Sequence, residues 1–490
     1  MTDSSAAQGP GGTPGASRHK GKAVALAVAA AVGGFLFGFD SSVINGAVEA
    51  VQGQFELSGV VTGLVVAVAL LGSAAGAWLG GRLSDRWGRT RVMVLGAVLF
   101  FVSSVLSAFA FAAWDLAIWR VMAGVGIGIA SVIAPAYIAE IAPASMRGRL
   151  GSLQQLAITL GIFAALLSDQ LLATSAGGAA NELWLGLEAW RWMFLVCVVP
   201  AVVYGVLALR IPESPRYLVA QGRRDEARAV LADVLGAEED PEQRVEQIEQ
   251  TIRKDEALAQ QASLRGPALG LLPVVWVGIL LSVFQQFVGI NVIFYYSTTL
   301  WQAVGFAESQ SFLISTITAV TNVVVTFIAI ALIDKVGRRP LLLIGSAGMT
   351  LALGTMAVAF TQATGTGENV SLDGSWGVIA LVAANAFVVF FGATWGPLVW
   401  VLLGEMFPNR IRAAALGVAA SAQWIANFVI TLSFPELLDR FGASVPYAMY
   451  AAFALLSFVF VLTKVPETKG VELEDMEGLQ VERRSRRASA

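Results

Sequence analysis

The sequence predicts an all-α polytopic membrane protein, built as two six-helix halves with a polar helical linker between them. Three observations predict it. Of the 490 residues, 56% are hydrophobic and only 14% charged, an apolar excess foreign to soluble domains of this length. Apolar runs of roughly 20–25 residues, the length that crosses a bilayer, recur twelve times. Three polar motifs then repeat in the same order at offsets of roughly 250–265 residues, the mark of an internal duplication.

The apolar runs fall at 24–48, 59–81, 92–113, 116–139, 150–172, 190–210, 269–298, 310–333, 340–361, 376–403, 411–434 and 445–464. They define a first half at 23–211 and a second at 268–465. Residues 1–22, rich in Gly, Pro, Ser and Ala, read as a disordered tail, and residues 466–490 as a second tail. A cleaved signal peptide is disfavoured, because the first run is long enough to span. Between the halves, 212–267 is the one large polar insertion. Its stretches RRDEARAVLADVL (223–235) and PEQRVEQIEQTIRKDEAL (241–258) show helical spacing and many i,i+4 charge pairs. They read as short amphipathic helices under the membrane; some fifty residues are too few for a separate domain.

The repeated motifs are RLSDRWGR (82–89) with LIDKVGRR (332–339), Glu140-Arg147-Arg149 with Glu405-Arg410-Arg412, and PESPR (212–216) with PETKG (466–470). Their basic residues also set orientation. Arg82, Arg86, Arg89, Arg91, Arg147, Arg149, Lys335, Arg338, Arg339, Arg410 and Arg412 fall in one set of loops. The alternate loops hold Glu49, Glu56, Glu182, Glu308 and Asp373, with Arg440 as the exception. The positive-inside rule then makes both tails and the linker cytoplasmic, in a cell-membrane protein.

Several chemistries are excluded. Cys197 is the only cysteine and His19, in the N-terminal tail, the only histidine. Intramolecular disulfides, histidine proton relays and histidine metal sites go with them. The GVGIG at 124–128 lies inside a membrane run with no preceding strand, so it reads as close helix packing and not a nucleotide loop. No Walker motif, metal-ligand spacing or hydrolase elbow appears. The expectation is no enzyme activity, no cofactor, no metal and no nucleic-acid partner.

Asp40 is the informative residue. It is the one charge in Val24 to Ala47, where a carboxylate costs at least about 2.5–3.5 kcal/mol. Chains that tolerate such a group use it for ion or proton traffic. Arg120 is a second intramembrane charge. Paired, the two give a proton switch: protonation neutralises Asp40 and releases Arg120. A purely structural buried pair is the alternative. Amides are the other theme. Gln285, Gln286 and Asn291 share one span, and Gln155, Asn322, Gln423 and Asn427 lie in others. Amides donate and accept at once, as a ring of hydroxyls requires; helix–helix bonding is the competing use. Gly396 and Pro397 precede Trp400 and break the helix, swinging the indole toward a cavity. Trp395 and Trp424 are open to either reading, as are Phe35, Phe37 and Tyr295.

The chain resembles the sugar porter family of the major facilitator superfamily over residues 24–475. The resemblance rests on GGFLFGFDSSVINGA (33–47), GRLSDRWGR (81–89), PESPR, QQFVGINVIFYYS (285–297), DKVGRR (334–339), WGPLVWVLLGEMFPNRIR (395–412) and PETKG, in order. Within the family it looks most like bacterial glucose/proton symporters and is similar to the xylose/proton symporter. The resemblance implies the major facilitator fold around a central sugar site. It implies sugar contacts from Gln155, Gln285, Gln286, Asn291, Trp400 and Gln423, with Asn322 a further candidate. Some relatives that merely equilibrate sugar carry an uncharged residue at the Asp40 position, so the acid favours symport. A cytoplasmic gate is expected from Asp85, Arg86, Arg89, Glu140, Arg147, Arg149, Glu213 and Arg216, and from Asp334, Arg338, Arg339, Glu405, Arg410, Arg412 and Glu467. The expectation is a monomeric, proton-coupled importer of a monosaccharide, glucose first. The alternatives are a uniporter, a symporter for xylose, galactose or a polyol, and a non-transporting sugar sensor.

Overall fold

The computed structural model of the chain describes residues 14–142, 147–235, 240–260, 263–364, 371–372, 374–407 and 411–467. Among them twelve helices are long and apolar enough to cross a membrane. In order these spans 1 to 12 are Gly21–Gln54, Gly59–Trp87, Arg89–Ala108, Ala113–Ile141, Leu153–Ala176, Ala189–Arg210, Pro273–Tyr295, Glu308–Ala329, Arg338–Phe360, Ser375–Leu403, Ala414–Phe441 and Ser444–Lys464. Each apolar run of the sequence holds one.

The departures are local. The first helix starts at Pro14, inside the segment expected to be disordered, and Lys22 Nζ meets Asp233 Oδ2 of the linker at 2.5 Å. Among the described residues two short hairpins occur, Glu182–Trp184 with Leu187–Glu188, and Arg265–Gly266 with Gly270–Leu271. The linker forms helices Pro215–Ala220, Arg224–Leu235 and Pro241–Gln260. They bury Leu218, Val219, Ala227, Leu231 and Val245 in a small cluster of their own. The GVGIG glycines do pack helices closely. A Cβ on Gly124 or Gly128 would meet backbone of span 2, and one on Gly126 backbone of span 3.

The duplication is visible atom by atom at the arginine-rich end. Spans 2 and 3 turn at Gly88 (φ 95°), and spans 8 and 9 at Gly337 (φ 105°), a region that favours glycine. The Glu213 carboxylate accepts from the backbone N–H of Arg89 (2.9 Å) and Thr90 (3.3 Å). Glu467 accepts from Arg338 and Arg339 N–H, both at 3.0 Å. Each acid thus sits on a helix N-terminus, where orphan donors and the dipole favour negative charge. Each leading arginine then reaches back to the end of the half's fourth span. Arg89 holds Glu140 through two bonds (3.1 and 3.0 Å), and Arg338 holds Glu405 likewise (3.2 and 2.9 Å). Arg89 also meets Asp85 at 3.1 Å, and Ser214 donates a short bond to Glu140.

These bonds join elements of one half. They are formed in a structure whose halves bond to each other at mid-depth and at the other end. Arg410, and the side chains of Arg147, Arg149, Asp334 and Arg412, lie outside the described residues. The Arg89–Glu140 side chains are 10% and 11% exposed, against 12% and 28% for Arg338–Glu405. Screening is weaker for the drier pair. Glu140→Gln should therefore lower thermal stability more than Glu405→Gln, by about 1–3 kcal/mol for the loss of a charge-assisted bond. Melting of the purified protein in detergent checks the order, and equal effects would refute it.

The two halves meet through span 2 with span 11, span 5 with span 8, and span 1 with the far part of span 7 and the helix after it. Thr159 and Thr326 hydroxyls bond at mid-depth, 3.2 Å apart. Further from the arginines, Thr298 N–H donates to Asn45 Oδ1 (3.0 Å), and Ala179 N–H to Glu308 Oε1 (2.9 Å). Asp439 of span 11 lies against Gly59, the first residue of span 2.

Candidate functional site

Asp40 and Arg120 are brought together as expected. Arg120 Nη1 donates to Asp40 Oδ1 at 2.9 Å, and each residue is 3% exposed. Arg120 Nε has no partner, so the guanidinium is only partly satisfied. A cavity of ≈ 20 Å³ adjoins the pair, bordered by Phe37, Ser41 and Ile44 of span 1, Ser73 of span 2 and Tyr295 of span 7. That volume has room for about one water and none for a sugar. Tyr295 belongs to the second half, so the pair lies where the halves meet.

Span 7 is not one helix. It runs Pro273–Phe287, unwinds at Val288 and Gly289 (φ 82°), and resumes as Ile290–Tyr295. Discontinuous spans place polar groups in membrane-protein binding sites. Here the break carries an amide chain. Asn291 Nδ2 donates to Gln286 Oε1 (2.5 Å), and Gln286 Nε2 to Gln285 Oε1 (3.5 Å). Gln285 Nε2 ends the chain on the carbonyls of Trp395 (3.0 Å) and Gly396 (3.1 Å). Those carbonyls mark the second irregularity, a π-turn over Phe391–Trp395 just before Gly396–Pro397. Such turns accommodate a proline and gather at functional sites. Gln285 is therefore committed to joining spans 7 and 10, while Asn291 is half-buried at the far end of the chain.

Trp395 resolves as packing: it is fully buried, and its indole N–H donates to Leu342 O (3.1 Å) and Ser346 Oγ (3.0 Å). Trp400 is 43% exposed, accessible and not packed away. Trp424 stands edge-on to Phe37 across the halves, with centroids 5.9 Å apart. Gln155 is half-buried, Asn322 lies beside Gly392 of the π-turn, and Gln423 has a buried Oε1 with no partner. No hydrogen bond among the described residues ties these three to the amide chain.

Two features escaped the sequence reading. The break in span 7 was signalled by the Gly289 that separates Gln286 from Asn291. Asp169, in span 5, is fully buried with neither oxygen bonded; the charge argument that picked out Asp40 applies to it equally.

Two six-helix bundles, meeting around a buried acid–base pair and an amide chain on a broken span, define a membrane transporter of the major facilitator type. The chain matches the family model for sugar (and other) transporters over residues 26–479. It is 54% identical to the glucose transport protein of Synechocystis sp., covering 95% of this chain and 100% of that one. It is 34% identical to the D-xylose-proton symporter of Escherichia coli, covering 93% and 95% respectively. The partially occluded inward-open structure of the xylose transporter XylE from E. coli superposes with TM-score 0.79 at 34% identity, over 92% of this chain and 99% of that one. The structure of XylE bound to 6-bromo-6-deoxy-D-glucose gives 0.75, over 94% and 99% at 33% identity. The chain belongs to the sugar porter family of the major facilitator superfamily.

Proposed function

We infer that this protein carries a monosaccharide, glucose first, into the cell together with a proton, by alternating access. The observation that carries the reading is the Asp40–Arg120 pair: an ionisable group buried where the halves meet. A buried ion pair is weak as a stabilising device and apt as a switch. Protonation of Asp40 removes its charge, frees Arg120, and alters the contact surface of span 1. The 54% identity to a glucose transport protein supports glucose, and the proton-symporter relatives support coupling.

In this reading Asn291 and Gln286 hold sugar hydroxyls, Trp400 covers the ring's apolar face, and Gln155, Asn322 and Gln423 supply further donors and acceptors. The arginine-rich end faces the cytoplasm, by the positive-inside rule, in the cell membrane, and the monomer is the working unit. The inter-half bonds at mid-depth and at the other end then describe an inward-facing state, in keeping with the TM-score of 0.79 to an inward-open relative. The Arg89–Glu140–Glu213 and Arg338–Glu405–Glu467 sets brace each half from within as the gate moves.

The test is uptake of labelled glucose into proteoliposomes, with and without an imposed inward proton gradient. Accumulation above equilibrium with the gradient supports symport. Uptake that equilibrates and ignores the gradient leaves a uniporter, and no sugar flux refutes glucose.

A further inference from the structure

Asp169 is a carboxylate that nothing in the site described above uses. It is fully buried in span 5, and neither carboxylate oxygen has a hydrogen-bond partner. It presses against span 1 at Gly46. A Cβ on Gly46 would lie 2.7 Å from Asp169 Cβ and Cγ and 2.8 Å from Oδ2, so only glycine admits the acid at this contact. The Gly46 N–H belongs to a continuous helix and is spent there.

A structural carboxylate holds something: a helix end, an arginine, a hydroxyl. Asp169 has no side-chain partner and meets only the backbone of span 1 at Gly46. An unbonded polar group in a native interior calls for a reason, and an acid inside a membrane bundle is costly enough that its use is the default explanation.

Its position supplies the use. Gly46 lies six residues beyond Asp40, about 9 Å along span 1 away from the arginine-rich end. The charged and titratable groups on the spans packed against span 5 are Lys22, Asp40 and Glu49 of span 1, Asp115, Arg120, Tyr137 and Glu140 of span 4, Arg191, Cys197, Tyr204 and Arg210 of span 6, and Glu308 at the start of span 8. None of them bonds to it.

We propose that Asp169 is a second proton-carrying residue of the transport cycle, taking a proton from the outer side when that end opens and passing it through water to Asp40. The O–H bond of Asp169 breaks as one forms on a bridging water. That water gives a different proton to the Asp40 carboxylate, which releases Arg120. Asp169, left as a carboxylate, regains a proton from the outer solution. This rests on the symport reading, and the experiment separates the two.

Full-length wild type, Asp169→Asn and Asp169→Glu are reconstituted with a pH dye inside the vesicles. Glucose-driven proton entry, gradient-driven accumulation and glucose counterflow are measured. The expected result is at least a tenfold loss of proton entry and accumulation in Asp169→Asn, a much smaller fall in counterflow, and partial rescue by Asp169→Glu. Wild-type behaviour of Asp169→Asn in all three assays overturns the proposal. A parallel fall of accumulation and counterflow in both variants means a structural role and also overturns it. Should Asp169→Asn not fold, Asp169→Glu decides: the longer acid is expected to shift the pH optimum of accumulation, and an unmoved optimum overturns the proposal. Wild type that carries sugar without protons sinks the symport reading, and the Asp169 proposal with it.

Discussion

Replacing Asp40 by asparagine should abolish gradient-driven accumulation of glucose while leaving counterflow measurable. The scale of the effect follows from the driving force. One charge moved through 100 mV supplies about 2.3 kcal/mol, which at 1.36 kcal/mol per decade is a concentration ratio of about 50. Without a group that changes protonation on the pair, that ratio should fall to about 1, since nothing then links proton entry to sugar entry. Asparagine is the right replacement because its Oδ1 still accepts from Arg120 Nη1, now 2.9 Å from Asp40. Alanine would strand a buried guanidinium at a cost of about 3–5 kcal/mol, and loss of fold would be mistaken for loss of coupling. Concentrative uptake by Asp40→Asn, measured in the same vesicles as wild type, would remove this residue from the mechanism.

The second large effect concerns the amide chain. Gln286→Ala should weaken glucose binding about 10- to 100-fold, because a polar group that loses its partner in a buried site costs about 1–3 kcal/mol. Gln286 Oε1 is what orients Asn291, through the 2.5 Å bond from Nδ2. Gln285→Ala makes the contrast. Its amide grips two carbonyls of the π-turn, so its removal should lower thermal stability more than affinity. Calorimetric titration and melting of both variants check the split. If Gln285→Ala loses affinity and keeps its melting temperature, the assignments are reversed.

Much of this architecture was legible in the sequence because membranes leave the backbone few choices. Each apolar run had to be a helix, and the repeated Gly-Arg, Glu and Pro-Glu motifs had to lie at equivalent places. The Asp40–Arg120 contact was legible for the same reason: two opposite charges in hydrocarbon have little alternative to each other. The amide roles were only partly so. A glutamine in a span satisfies helix contacts and ligands with the same atoms, and nothing in the order QQFVGIN tells which residue is tied to carbonyls 110 positions away. Only the fold separates Gln285, which is tied to span 10, from Asn291, which sits at the far end of the chain. Asp169 illustrates the converse. It is as visible as Asp40, a lone acid in an apolar run, but one acid and one base already suffice for coupling and leave a second acid without a role to predict.

The seal remote from the arginine clusters has a further consequence for how such a protein varies. Two of its bonds run from main-chain amides of one half to side chains of the other, Thr298 to Asn45 and Ala179 to Glu308, and the Thr298 hydroxyl adds a third to the Asn45 carbonyl. Every residue except proline presents that N–H, so position 179 is free to drift without loosening the seal, whereas position 298 must keep the hydroxyl that donates to the Asn45 carbonyl at 2.7 Å. The balance between the two access states is therefore inherited through a few side chains, Asn45, Thr298 and Glu308, with Asp439 beside the start of span 2. A lineage needing faster turnover or tighter closure has a target of four codons, and the recognition chemistry deeper in the protein is left untouched.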